Sequence, residues 1–201
     1  MTIRRGAEWG TVGPPPVGAL EARSDSELRA IVETCRIDGR TIPPVALLGG
    51  DLMRSVGGTG VLRDECVTAP VDVVRVEAAG EKAWFASHLV ARRSWWRGEV
   101  VAAMNAQFHG AWDVAPRSHP NDGRVDLLRV AAEMTLRHRL QARSRLEQGT
   151  HVPHPAIETR QVRTAELQFA RPLHVWLDGT PWVTASRLTV TVEPDALQIV
   201  F

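Results

Sequence analysis

One stretch of the sequence decides the fold class: Val71-Asp-Val-Val-Arg-Val76, then Ala79-Gly80, then Ala83-Trp-Phe-Ala-Ser-His-Leu-Val90. β-Branched and aromatic residues on both sides of a glycine-containing turn predict a β-hairpin. More short strands are predicted downstream, at residues 100–108, 112–115, 125–130, 157–162, 166–169, 174–177, 188–192 and 197–201. Many short strands predict a β-sandwich or a strongly curved sheet.

Upstream of the hairpin, the pattern changes to one strand–helix repetition. Residues 24–33 predict a helix that is capped by Ser24 or Asp25, and the apolar run 45–48 predicts a strand that ends at Gly49-Gly50. A second amphipathic helix is predicted at 133–147. We therefore predict an α/β (α+β) fold, with a Gly/Pro-rich segment at 1–20, a small α/β unit at 21–62 and a predominantly β, sandwich-like domain at 63–201.

Composition excludes some classes of function. The 201 residues carry a net charge of +1, so there is no overall electrostatic argument for binding nucleic acid. Two cysteines are too few for a disulfide framework, and no apolar run approaches the roughly 20 residues that span a bilayer. We expect a cytoplasmic protein that can still touch a membrane surface.

Five C-terminal motifs, taken in order, carry a family resemblance. They are Trp112-Asp-Val-Ala-Pro116, Asn121-Asp-Gly-Arg-Val-Asp126, Gly149-Thr-His-Val-Pro-His-Pro155, Val175-Trp-Leu-Asp-Gly179 and Val192-Glu-Pro-Asp-Ala-Leu197. Over roughly residues 70–201 the chain resembles the second domain of bacterial diacylglycerol-kinase-type lipid kinases. The resemblance implies ATP- and Mg²⁺-dependent phosphorylation of a lipid hydroxyl.

The same resemblance gives a meaning to Leu48-Gly-Gly-Asp-Leu-Met-Arg54. In the family an apolar strand leads into Gly-Thr-x-Asn-Asp-(Leu/Phe)-Ala-Arg, so that Gly50 replaces the family's Asn while Asp51 is retained. Upstream, Arg23-Ser-Asp-Ser-Glu-Leu28 stands where the family has Gly-Gly-Asp-Gly-Thr, and only Asp25 matches. The resemblance thus implies ATP contacts at Asp25, Gly49, Gly50 and Asp51. The pattern alone favours an ordinary strand-to-helix turn over a phosphate loop.

Both family loops have lost parts that phosphoryl transfer needs. The side chains of Arg23, Ser24 and Ser26 fill space that glycines leave to phosphate, and Glu27 adds negative charge there. The family's Asp-Gly-Glu, whose Glu is implicated in accepting the lipid hydroxyl proton, is here Asp178-Gly179-Thr180. Because a threonine hydroxyl is not ionised near neutral pH, Thr180 cannot act as a general base. Asp178 is left as the one catalytic candidate, and the nucleotide lobe is predicted to be a reduced remnant.

A Mg²⁺ site is implied by resemblance at the Asn-Asp-Gly loop. Asp122 would supply its carboxylate and residues near His119 and Arg124 their carbonyls, as suits a hard cation. The alternative is a hairpin turn with an exposed Asp.

Aromatic, basic and histidine clusters allow further interpretations. Trp95, Trp96 and Arg97 could dock at an anionic membrane surface or line an acyl entrance; alternatively, one Trp lies in the core and the other covers the surface. Four arginines in the predicted helix favour a solvated face over a phosphate site, namely Arg137, Arg139, Arg143 and Arg145. Four histidines favour packing over zinc, namely His109, His119, His151 and His154.

Three hypotheses for the function remain. The first is a minimal working lipid kinase, the second a non-catalytic lipid- or membrane-binding module. The third is a structural subunit whose exposed sheet edge pairs with a second copy or another chain. The degraded loops favour weak or lost kinase activity.

Overall fold

The computed structural model describes Ile3 and residues 9–201. The helices are α1 (Asp25–Ile37), α2 (Asp51–Ser55) and α3 (Leu136–Leu146). The first strands are β1 (Thr11–Gly13), β2 (Leu20–Ala22), β3 (Val45–Leu47), β4 (Cys66–Ala78), β5 (Glu81–Phe85), β6 (His88–Arg92) and β7 (Val100–Met104). The others are β8 (Phe108–His109), β9 (Trp112–Asp113), β10 (Val125–Val130), β11 (Ile157–Val162), β12 (Thr164–Leu177) and β13 (Thr180–Val200).

One large sheet organises the described residues. Its strand order is β1-β4-β13-β12-β6-β7-β10-β11, with β5 beside β4, β3 beside β13 and β2 beside β3. Side chains of these strands form a large apolar cluster that includes Phe85, Leu89, Val175 and Leu188, and strands β4 and β13 also contribute to a second cluster beside the α/β unit. The predicted fold class is confirmed: a predominantly β, sandwich-like domain carries a small α/β unit.

The α/β unit shares its sheet and its core with the β domain. Strands β2 and β3 are parallel, and β3 in turn pairs in parallel with β13, where Val45 faces Ile199. The buried face of α1, with Leu28 and Val32, joins a cluster that includes Val73 of β4. The sheet and the apolar packing therefore continue across the predicted boundary at residue 62.

The hairpin at Ala79-Gly80 is confirmed, but its second strand is shorter than predicted. Both turn residues have positive φ, 54° and 84°, as a two-residue hairpin turn requires. The segment 83–90 does not form one strand, because β5 ends at Phe85 and β6 starts at His88. The intervening N–H groups bind the carboxylate of Asp178 instead of a neighbouring strand.

Two pairs of predicted C-terminal strands are in fact two long strands. Strand β12 runs through a register shift between Gln168 and Leu173, and β13 through one between Glu193 and Leu197. Each shift contains a proline, Pro172 or Pro194, which lacks the N–H that a regular ladder needs. The sequence pattern was interrupted there, whereas the backbone continues through an irregularity.

Helix α3 is confirmed, with Thr135 as its N-cap, but its faces differ from the prediction. The amphipathic pattern predicts that Leu136 and Leu140 face the core, but they are 55% and 52% exposed. Arg139, which was placed on a solvated face, is buried and donates hydrogen bonds to four backbone carbonyls, those of Met134, Trp95, Gly98 and Ala131. These bonds compensate the burial of its charge and hold α3 against the loop after β6.

The predicted Gly/Pro-rich segment 1–20 lies partly outside the described residues, which omit 1–2 and 4–8. Within the described part, Thr11–Gly13 form strand β1 and pair with β4. Residues 14–19 form no helix or strand, as their prolines predict.

Candidate functional site

The four residues predicted to contact ATP meet where α1, α2 and the loop after β3 converge. Asp25 is the first residue of α1, and its carboxylate accepts the N–H groups of Asp51 (2.6 Å) and Leu52 (3.0 Å) at the start of α2. Free N–H groups at such a point are what a bound phosphate would need. Here a carboxylate of the chain itself takes them.

Gly49 and Gly50 are packed tightly against the same segment. A Cβ on Gly49 would lie 2.3 Å from the carbonyl oxygen of Arg23, and one on Gly50 would lie 2.7 Å from the Asp25 carboxylate. Gly50 also has a φ of 99°, a conformation that favours glycine. The glycines therefore allow two chain segments to approach each other, and the space beside them is filled.

The N-terminus of α1 is also closed by its own side chains. Ser24 Oγ accepts the Glu27 N–H (3.2 Å), and the Glu27 carboxylate accepts the N–H of Arg23 (2.8 Å). This arrangement resembles a capping box. Backbone N–H groups at the starts of α1 and α2 thus already have acceptors within the chain.

Asp178 is buried in a turn with a positive φ of 47°. Its two oxygens accept the N–H groups of Ala86 (2.9 Å), Ser87 (3.0 Å) and His88 (2.8 Å). Gly179 and Thr180 beside it are exposed. The observed role of Asp178 is to hold the β5–β6 corner; the catalytic role implied by resemblance stays a prediction.

Several ionisable groups face one another around this junction. Burial raises the pKa of Asp25 to about 6, and the charge of Asp178 adds to this effect. Burial also opposes the charging of His88, but the carboxylates of Asp178, Asp25 and Asp51 raise its pKa overall. The junction thus brings three carboxylates and the His88 imidazole close together, with Arg54 beside Asp51.

An apolar pocket of about 220 Å³ lies between α3 and the outer strands of the sheet. Strands β6, β7 and β10 contribute its floor, with Val90, Met104 and Leu128, while α3 and three tryptophans close it from above. An enclosed apolar cavity of about 150 Å³ already holds a benzene ring. The pocket therefore has the size and the lining of a site for part of an apolar ligand.

Trp95 and Trp96 both line this pocket, and Arg97 does not. Trp95 is half-buried and packs edge-on against Trp112, whereas Trp96 is 40% exposed with Arg143 over its ring. Arg97 is exposed and borders a second cavity on the other side of the 93–99 loop. No helix in the described part of the chain is long and apolar enough to span a membrane.

The loop predicted to bind Mg²⁺ is held by a buried carboxylate that the sequence did not reveal. Asp72 accepts the N–H groups of Gly123 (2.7 Å) and Asp195 (3.0 Å). The Asn121–Gly123 turn does not join paired strands, because β10 pairs with β7 and β11. The hairpin alternative is therefore wrong.

The donors in this loop suit a hard cation. Asp122 Oδ1 accepts the Arg124 N–H, and the carbonyl of His119 accepts the Asp122 N–H. Burial raises the pKa of Asp122 to about 6, with the Asp126 carboxylate adding to the effect. Oxygen donors with uncompensated negative charge fit Mg²⁺.

A family model described as the YegS C-terminal NAD kinase beta sandwich-like domain matches residues 68–201. The chain belongs to this family of diacylglycerol-kinase-like lipid kinases. The resemblance predicted from the C-terminal motifs is confirmed.

Solved structures agree with this family at the level of fold. A diacylglycerol kinase from Bacillus anthracis str. Sterne aligns with a TM-score of 0.58 and 11% identity, over 80% of this chain and 67% of that one. A candidate diacylglycerol kinase from the same strain aligns with a TM-score of 0.65 and 12% identity, over 89% of this chain and 76% of that one. No curated protein matches.

Two histidines near the junction were not combined in the sequence-based prediction. The ring centroids of His88 and His109 lie 4.2 Å apart, although 20 residues separate the two histidines in the sequence. The four histidines considered from sequence do not form one group: His119 packs on Trp9 and His154 on His138. No spacing in the sequence could have paired His88 with His109, because they lie in different sheets, β6 in the large one and β8 in the two-stranded β8–β9 sheet, and the tertiary fold brings the rings together.

Proposed function

We propose that this chain is a lipid-binding member of the diacylglycerol-kinase-like family in which ATP-dependent phosphorylation of a lipid hydroxyl is weak or lost. The observation that carries the proposal is the apolar pocket of about 220 Å³ under α3. Each methylene group moved from water into such a pocket contributes about 0.8 kcal/mol. The pocket therefore favours an acyl chain over a polar metabolite.

Loss of phosphoryl transfer is supported by the junction of α1 and α2. The Asp25 carboxylate takes the N–H groups at the start of α2, and the Glu27 carboxylate closes the start of α1. Thr180 supplies no base, and the Asp178 carboxylate accepts three backbone N–H groups of the β5–β6 corner. In this proposal the chain retains a pocket for part of an acyl chain and lacks the groups that would position ATP.

Mg²⁺ belongs to the proposal as a structural ion. The Asp122 carboxylate and the carbonyls of His119 and Arg124 would hold it, and it would supply positive charge to a loop that is rich in buried carboxylate. In this role it fixes the loop beside β10 and takes no part in chemistry.

Access to the pocket is proposed to come from a membrane surface. Leu136, Leu140 and Trp96 are exposed apolar groups, and Arg143 stands over the Trp96 ring. Exposed apolar side chains next to arginines are typical of surfaces that lie at an anionic membrane interface. A lipid could then enter between α3 and the tryptophans.

A fluorescent fatty acid, cis-parinaric acid, tests the pocket directly. The wild-type protein should bind it with a rise in its fluorescence, and Ala102→Phe, which places a ring inside the pocket, should weaken binding by about tenfold or more. Ala30→Phe makes the same substitution at an exposed position of α1 and should bind as wild type. Unchanged binding by Ala102→Phe would contradict the proposal.

Nucleotide binding is tested separately by thermal unfolding with and without Mg·ATP. A ligand of the native state raises Tm by mass action, so no shift is expected with ATP, while a bound lipid should raise Tm. Robust ATP-dependent phosphorylation of a diacylglycerol dispersion would show instead that the chain is a minimal working kinase.

A structural role remains the third hypothesis. In the described residues β2 pairs with β3 on one side only, so its other edge could receive a strand from a partner. Light scattering that shows a monomer, together with lipid binding, would favour the lipid-binding proposal over this one.

A further inference from the structure

Three side chains from separate elements converge beside the junction of the two units. Asp51 begins α2, His88 begins β6 and His109 ends β8. One ligand atom from each lies within 4.8 Å of the other two, and His88 Nε2 is 3.9 Å from Asp51 Oδ2. Donors about 2.0–2.2 Å from a four-coordinate ion lie roughly 3.4 Å from one another, so the three side chains would have to move closer by up to about 1.4 Å to bind one.

The two imidazoles have few hydrogen-bond partners for groups in this position. His88 is 3% exposed, and its Nδ1 has only the Asp178 carboxylate at 3.5 Å, while His109 Nδ1 is buried and makes no hydrogen bond to the described residues. Buried polar atoms without partners are costly, so their presence together requires a physical reason.

A carboxylate stands behind the first histidine. Asp178 Oδ1 lies 3.5 Å from His88 Nδ1, on the side of the ring opposite to the nitrogen that faces Asp51. Histidines that bind metals commonly direct their second nitrogen at a carboxylate, which fixes the ring and its tautomer. Asp178 is in turn fixed by three backbone N–H groups.

The segment that carries His109 is fastened to α2. Asp51 Oδ2 accepts the Gly110 N–H (2.8 Å), Ser55 Oγ accepts the Gln107 N–H (2.9 Å), and the Arg54 guanidinium lies 4.3 Å above the Phe108 ring. The hydrogen bond from Gly110 leaves Asp51 Oδ2 a second lone pair. The three donors are thus held in place by contacts that do not themselves need a metal.

We propose that Asp51, His88 and His109 form a binding site for a divalent transition metal ion, of the zinc class. Two imidazoles and a carboxylate are typical donors for Zn²⁺, whereas Mg²⁺ prefers oxygen alone. The site is distinct from the oxygen-lined loop at Asp122. Three protein ligands leave a coordination position for water, as in catalytic rather than structural zinc sites.

His109 also lines the apolar pocket, so the metal site and the pocket share one side chain. A ligand in the pocket that carries an oxygen at its polar end could therefore reach the ion. The metal site itself does not depend on the identity, or the existence, of that ligand.

The test uses the full chain, stripped of metal with a chelator and titrated with Zn²⁺ by calorimetry. We expect one equivalent of Zn²⁺ to bind, and Co²⁺ in its place to give the intense visible absorption of a tetrahedral ion with nitrogen ligands. His109→Ala should weaken Zn²⁺ binding by about a hundredfold, and Asp51→Asn by about tenfold or more.

His174→Ala is the matched control, because it removes an imidazole that is exposed and remote from the site. It should bind Zn²⁺ as wild type does. Far-UV circular dichroism checks that each variant is folded. If His109→Ala does not fold, Asp51→Asn serves as the test variant, because its amide oxygen can still accept the Gly110 N–H.

Three results would overturn the proposal: no stoichiometric binding of Zn²⁺ by the wild type, equal affinity in His109→Ala and His174→Ala, or a Co²⁺ spectrum of an octahedral, oxygen-bound ion. None of these readouts involves lipid or ATP. A failure here is therefore distinguishable from a failure of the lipid-binding proposal.

Discussion

At the scale of single residues, the carboxylate of Asp178 takes the hydrogen bonds that a neighbouring strand would otherwise accept. Its oxygens accept three consecutive backbone N–H groups, from Ala86 to His88, at the corner where β5 gives way to β6. A family motif suggested a catalytic position there, but sequence alone could not show that both oxygens are engaged. Their partners lie about 90 residues away in the chain.

The first prediction concerns Asp178→Gly. Glycine accepts the positive φ of this position, so the substitution removes the acceptors without adding backbone strain. Buried donors that are left unsatisfied cost about 1–3 kcal/mol each, and we expect a loss of about 3 kcal/mol or more in the free energy of unfolding. Urea denaturation measures this change in the free energy of unfolding.

Asp178→Asn retains one oxygen acceptor and should fall between Asp178→Gly and the wild type. A variant Asp178→Gly as stable as the wild type would show that the corner does not depend on this carboxylate.

At the scale of elements, the loop from β3 to α2 packs directly against the segment that starts α1. Gly49 and Gly50 let it lie against Arg23 and Asp25, so that α1 and α2 start side by side. The paired glycines had two interpretations from sequence, a phosphate loop or a tight turn. The structure favours the turn because the chain itself fills the space beside the glycines.

The second prediction compares two glycines. Gly49→Ala would place a Cβ 2.3 Å from a backbone oxygen, and neither segment can move without disturbing a helix start. We expect it to cost about 2 kcal/mol or more. Gly13→Ala, which meets nothing within 4 Å, should change stability by less than about 0.5 kcal/mol. Equal effects of the two substitutions in urea denaturation would refute the packing role.

The sequence predicted those elements that depend on neighbouring residues, such as helix caps and tight turns. The N-cap Ser24, the Ala79-Gly80 turn and the strand Val125–Val130 all appear as predicted. Prediction was wrong where distant partners decide, as at Arg139, whose four carbonyl acceptors include Trp95 and Gly98, outside its own helix. Charge pattern alone placed this arginine in solvent.

At the scale of the whole molecule, the α/β unit and the β domain share one interior. Leu28 of α1 packs in the same buried cluster as Val73 of β4 and Ile199 of β13. The sequence suggested a boundary at residue 62 because the pattern of elements changes there. Shared burial across that point could not be read from the pattern, since it depends on the pairing of β3 with β13.

The third prediction follows from this shared interior. Leu28→Ala should lower the free energy of unfolding by about 2–5 kcal/mol and still give a single transition. Tryptophan fluorescence and far-UV circular dichroism should report the same midpoint. Ile37→Ala, at a position that is 78% exposed, is the control and should have little effect. Two separate transitions in the wild type would show that the units unfold independently.

The parallel pairing of Val45 with Ile199 also has a consequence for how the protein is made. On the ribosome, the segment around Val45 emerges well before Ile199, its partner on β13, because strands β4 to β12 lie between them in the sequence. Contacts so distant in sequence form slowly, because a long loop must close first. During synthesis, the nascent N-terminal unit must therefore wait with an apolar edge uncovered, and this makes it a natural client for chaperones that bind growing chains.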